Sequence, residues 1–85
     1  MVGLRKMRPG TEKDVSTFGT DWFPEPAGVI GCNTSGTYRI YRRKDQPTAY
    51  QDRVFKAGLE YTGPVVKITT TGDAAVTSGY IKVIF

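Results

Sequence analysis

The chain reads as an all-β domain: a small β-sandwich or barrel of five to seven short antiparallel strands behind an extended amino-terminal arm. Three observations carry that reading. From Ala27 onward, turn residues punctuate the sequence about every eight to twelve positions, the spacing of small sandwiches and barrels. The segments between them are rich in β-branched and aromatic residues, which suit a pleated, half-buried surface. The sequence closes on Tyr80-Ile81-Lys82-Val83-Ile84-Phe85, a strand pattern in which Ile81, Val83 and Phe85 share one face by the two-residue period. Tyr80 and Ile84 make the other face partly apolar too. That calls for two layers and leaves room for one of them to belong to another molecule.

Residues 1–26 differ in character from the remainder of the chain. Charges, glycine and proline surround apolar residues at irregular spacing, Leu4, Met7, Val15, Phe18, Trp22 and Phe23, and fit neither the helical nor the strand period. Pro24 and Pro26 bias their predecessors towards extended backbone. An arm over residues 1–26 and a domain over residues 27–85 are expected. Trp22 and Phe23 then either cover one end of the domain or anchor the arm on a neighbour, as aromatics do at interface centres.

Within the domain, residues 27–32 form a short apolar run closed by the turn residues Asn33-Thr34-Ser35-Gly36. Residues 37–42 come next as a strand with Tyr38 and Ile40 on one face and Arg39, Tyr41 and Arg43 on the other. The two segments are expected to pair as a hairpin, ahead of a turn at Lys44-Asp45-Gln46-Pro47. Residues 48–58 admit two readings. Pro47, the Tyr50/Val54 spacing and Gly58 fit a short helix. A strand over residues 50–55 suits the neighbouring segments better, since a lone two-turn helix is marginal. Residues 59–61 are extended up to Thr62-Gly63-Pro64. Residues 65–71 are the clearest strand, β-branched everywhere except Lys67, and Gly72-Asp73 turns it towards the last strand.

At 85 residues the chain holds one domain, and one this small buries only about 60–65% of its unfolded surface. Such domains lean on disulfides, metals or oligomerisation. Cys32 is the only cysteine and histidine is absent, which removes a disulfide and the usual zinc ligands and leaves oligomerisation. The same inventory removes a thiol nucleophile with a histidine base, so Cys32 is expected to be a small buried strand residue. The carboxylates show no diagnostic pairing, and Asp45 and Asp73 sit where turn formers are common. No glycine run carries the lysine and following helix of a phosphate loop. No apolar run approaches the roughly 20 residues of a membrane span, and the basic start lacks the apolar stretch of a secretory signal. No enzyme activity, cofactor or membrane role is expected, and assembly in a cytoplasm is.

Twelve Lys and Arg against eight Asp and Glu give a net charge of +4. The basic residues cluster at Arg5, Lys6, Arg8 and Lys13, and again at Arg39, Arg42, Arg43 and Lys44. Aromatics interleaved with arginines over residues 38–44 resemble the base-stacking strands of OB and cold-shock domains, which makes single-stranded nucleic-acid binding the alternative reading. Against it, Tyr38 and Tyr41 fall on opposite strand faces and cannot form one platform.

The order of segments also resembles a family. Pro26-Ala27-Gly28-Val29-Ile30, the Gly36 turn, Tyr38-Arg39-Ile40, Phe55-Lys56-Ala57-Gly58, Pro64-Val65-Val66-Lys67-Ile68 and Thr70-Thr71-Gly72-Asp73-Ala74-Ala75-Val76 are similar to the small all-β structural proteins that tailed bacteriophages encode near their capsid genes. The resemblance covers roughly residues 24–85. The Arg-rich turn over residues 42–46 and the basic arm depart from it. It implies a virion subunit, a capsid decoration or a spike or fibre-base protein, assembled in the host cytoplasm. Its partners would be sister copies, a homotrimer being favoured, and the major capsid protein or another virion protein. Trp22, Phe23, Ile81, Val83 and Phe85 are the expected contact residues, with Tyr41 beside the docking charges Arg39, Arg42 and Arg43.

Overall fold

The structure, a computed structural model, describes residues 11–85. Two antiparallel sheets form a sandwich from seven strands: β1 (Glu12–Asp14), β2 (Ala27–Cys32), β3 (Gly36–Tyr41), β4 (Gln51–Phe55), β5 (Glu60–Val65), β6 (Lys67–Thr70) and β7 (Ile81–Ile84). The first sheet runs β1-β7-β2-β5 and the second β4-β3-β6. The all-β expectation holds.

The interior is filled from both sheets. Ala27, Ile30 and Cys32 of β2, Val65 of β5, and Ile81 and Val83 of β7 face Tyr38 and Ile40 of β3, Phe55 of β4 and Ile68 of β6. Ala27 and Ile30 lie three apart, yet both point inward, because the β2–β5 register slips between Ala27 and Val29. Such an irregularity resets which residues face the core. The final strand is not at a border. β7 pairs with β1 on one side and β2 on the other, and Ile81 and Val83 are fully buried.

Three expectations are corrected. Residues 27–32 and 37–42 do not form a hairpin; β2 pairs with β5 and β7, whereas β3 pairs with β4 and β6. The connecting turn explains why: the Asn33 and Thr34 N–H groups donate to the Tyr80 carbonyl at 2.8 and 3.3 Å, which sends the chain across to the other sheet. Residues 65–71 are not one strand either. Val65 pairs with Ala27 in the first sheet, Lys67 pairs with Tyr41 in the second, and Val66 is the corner between them. A straight strand cannot place Val65 and Ile68 on one face, since they are an odd number apart. The corner buries both.

The third correction concerns residues 11–26. They form β1, a 3-10 turn over Val15–Phe18 and a buried aromatic, so they belong to the body of the sandwich rather than to a separate arm. Asp14 caps that turn through Ser16 N–H at 2.9 Å and also accepts from Gly79 N–H at 2.7 Å. Residues 1–10 of the expected arm, with Arg5, Lys6 and Arg8, lie outside the described residues. Of the two readings of residues 48–58, the strand is the one observed, as β4.

Candidate functional site

The outer face of the second sheet holds the densest polar and aromatic cluster. Period-two alternation turns Arg39 and Tyr41 of β3 outward while Tyr38 and Ile40 turn in. Register then sets Asp52 of β4 opposite Arg39, and Lys67 of β6 opposite Tyr41. Arg39 binds Asp52 through two N–H groups, Nε to Oδ1 at 2.9 Å and Nη2 to Oδ2 at 3.3 Å. Its Nη1 reaches Asp73 Oδ2 at 3.2 Å, and its guanidinium lies 3.9 Å from the centre of the Tyr50 ring. Tyr41 Oη donates to Asp73 Oδ1 at 2.6 Å. That hydrogen bond, followed by the attraction of Arg39, holds the Asp73 carboxyl below its ordinary range. Burial pushes the Tyr41 hydroxyl up, and the anion beside it adds to the effect.

Asp73 occupies the turn after β6 at φ 61°, a conformation that asparagine and aspartate tolerate better than most residues. As expected, it forms a turn, and it also ties the turn to the sheet. Lys67 completes the cluster, its ammonium 4.2 Å from the Trp22 ring centre and 4.3 Å from that of Tyr41. Trp22 meets Tyr41 edge-on at 5.6 Å.

This geometry places each expected site residue. Arg39 is held between two carboxylates and an aromatic ring, so it is not a free docking charge. Tyr41 is 4% exposed, packed against Trp22 and Tyr50, with Lys67 over its ring, and presents no open face on which a base can stack. Tyr38 lies inside, stacked on Phe55 at 5.8 Å. Phe23, Ile81 and Val83 were expected at a contact surface, but they are core residues of the subunit. Phe85 is half-buried and packs edge-on against Phe18 and Phe23 at 5.7 Å. Trp22 is half-buried on the outer face. Arg42 donates to the Pro64 carbonyl at 3.0 Å, and Arg43 pairs with Asp45 at 2.7 Å in the exposed loop after β3. Arg42 is thus half-buried and Arg43 exposed, each with a partner inside the subunit.

Two surfaces escaped the sequence reading. On the outer face of the first sheet, a groove of about 260 Å³ is lined by Glu12, Gly31, Leu59, Glu60, Lys82 and Ile84 among others, with Lys82 paired to Glu12 at 3.2 Å. The other is the border formed by β4. Among the described residues this strand pairs only with β3, and four of its five residues are exposed. Val54 on it is 64% exposed, and Leu59 in the following turn 51%. The signal for both lay in residues 50–59: once they are read as a strand and turn, Tyr50, Asp52 and Val54 alternate onto one outward face.

Cys32 is buried and unpaired, its sulfur 3.2 Å from the Thr34 carbonyl oxygen, and burial raises its thiol pKa. Among the described residues, no group of cysteine, aspartate and glutamate converges to hold a metal ion. None of the helices there is long and apolar enough to cross a membrane. Compared with known protein families, curated proteins and solved structures, the chain gives no match.

Proposed function

We propose that this chain is a non-enzymatic structural subunit that works by self-association and by docking on a larger protein shell, of the kind tailed-phage virions carry. The observation that carries the reading is the border at β4, where among the described residues one strand edge is unpaired and the apolar Val54 on it is exposed. An open edge of this kind pairs with another chain unless something covers it. A closed symmetric oligomer supplies such a cover. The loop after β3 carries Arg42 and Lys44 beside the Arg43–Asp45 pair, a net positive charge for an acidic shell surface. The likeness of residues 24–85 to phage structural proteins supports the virion setting.

The test is cosedimentation. Particles shed by the organism that encodes the chain are banded in a density gradient, and the bands are probed with an antibody against it. The reading expects the chain in the particle band at constant ratio to the major shell protein. A chain found only among free proteins contradicts it.

A further inference from the structure

We infer that β4 is the self-association edge and that two copies join there antiparallel about a two-fold axis through Val54. The inference rests on the assembly reading above and names its partner surface. The other sheet borders are occupied or blunted. β6 is covered where Phe23 N–H donates to the Val66 carbonyl at 2.8 Å and Thr70 N–H to that of Ala74 at 2.9 Å. β5 carries Pro64, which has no N–H to offer a new strand. β1 is three residues long, too short to template much. β4 contains neither proline nor glycine, and residues 51–54 are all exposed.

Charge selects the register. When a sheet continues across a two-fold axis, facing residues must share a sheet face, so the axis passes through one residue of the strand. An axis at Asp52 sets Asp52 against its own copy, and one at Arg53 sets Arg53 against its own copy. Like charges directly opposite destabilise. An axis at Val54 sets Val54 on Val54, Arg53 beside Phe55, and Asp52 opposite Lys56, twice over. This register alone joins apolar to apolar at the centre and acid to base on both sides. The Val54 side chain, which stands out from the subunit, is the one covered.

The test uses the full chain in sedimentation velocity, with circular dichroism to confirm folding. Wild type is expected to associate. Val54→Lys places two ammonium groups on the axis and is expected to sediment as a monomer with an unchanged spectrum; Val54 is too exposed for its loss to unfold the domain. Lys56→Glu turns two attractive cross-strand pairs repulsive and is expected to weaken association on the order of tenfold. Val54→Cys is expected to form an interchain disulfide under mild oxidation several-fold faster than Arg53→Cys. Val54→Lys that still associates like wild type overturns the edge and leaves the assembly reading standing. Equal cross-linking at both positions, or an unchanged Lys56→Glu, overturns the register. Wild type that stays monomeric at high-micromolar concentration overturns both, and leaves the edge to a strand of a different protein.

Discussion

Replacing Phe23 with alanine separates a core residue from an interface anchor. The Phe23 ring lies 4.9 Å from Phe18 and 5.7 Å from Phe85, edge-on to the latter, and closes the sandwich where residues 11–26 join it. Only 4% of the residue is exposed, and its N–H holds the Val66 carbonyl at the corner between sheets. Truncating a buried phenylalanine costs about 3–5 kcal/mol. The loss of two aromatic contacts, each worth about 0.5–1.5 kcal/mol, favours the upper part of that range. An 85-residue domain has about 4–13 kcal/mol in total, so Phe23→Ala removes a large share. At about 4–8 °C per kcal/mol, the midpoint of thermal unfolding should fall by roughly 15–40 °C. Circular dichroism during heating and urea titration reads this directly. A midpoint within about 5 °C of wild type would refute the placement, since it corresponds to only about 1 kcal/mol. Weakened association in an otherwise stable subunit would point the same way and restore Phe23 to an interface.

Local geometry gives three further outcomes. Gly63→Ala should destabilise by about 1–3 kcal/mol or more in urea titration, because a Cβ there overlaps the Ala27 carbonyl of the neighbouring strand and backbone cannot swing aside. Acid should weaken the fold through Asp14. Partial burial raises its pKa, but the Ser16 and Gly79 N–H groups outweigh that and hold it below its ordinary value of 3.8. Because the folded carboxyl titrates lower than the unfolded one, its stabilisation is complete above the ordinary aspartate range and is lost below about pH 4, as pH falls through the folded pKa. Asp14→Asn should flatten that part of the stability-versus-pH curve, with little change in slope near neutrality. Cys32 should react with thiol reagents only as fast as the domain opens, since burial both hides the sulfur and disfavours the thiolate. Fast labelling in native buffer would contradict its placement.

Much of the fold was legible because alternation and turn chemistry act locally. The two-residue period put Tyr38 and Ile40 on one face and Arg39 and Tyr41 on the other, and it marked residues 80–85 as a strand with apolar groups on both faces. Which strands pair was not legible, because register depends on contacts distant in sequence. The Tyr80 carbonyl redirects the turn after β2, and nothing near Asn33 announces that. The break at Val66 left a trace that went unused: Val65 and Ile68 cannot both be interior in a straight strand. Residues 11–26 resisted for another reason. Val15, Phe18 and Phe23 are spaced for a 3-10 turn and an irregular loop, which have no diagnostic period. At the outer-face cluster, Arg39 and Tyr41 were visible as a pattern of charge and ring. That Asp52 and Asp73 neutralise the arginine, and that Trp22, Tyr50 and Lys67 cover the tyrosine, required the pairing of β3 with β4 and β6.

Sedimentation equilibrium of the unmodified full chain over a wide dilution series bears most directly on the claim that sister copies shelter its open border. Self-association predicts a mass that is a whole multiple of the monomer at high concentration and declines on dilution or with Val54→Lys. A single monomer mass at every concentration would contradict it.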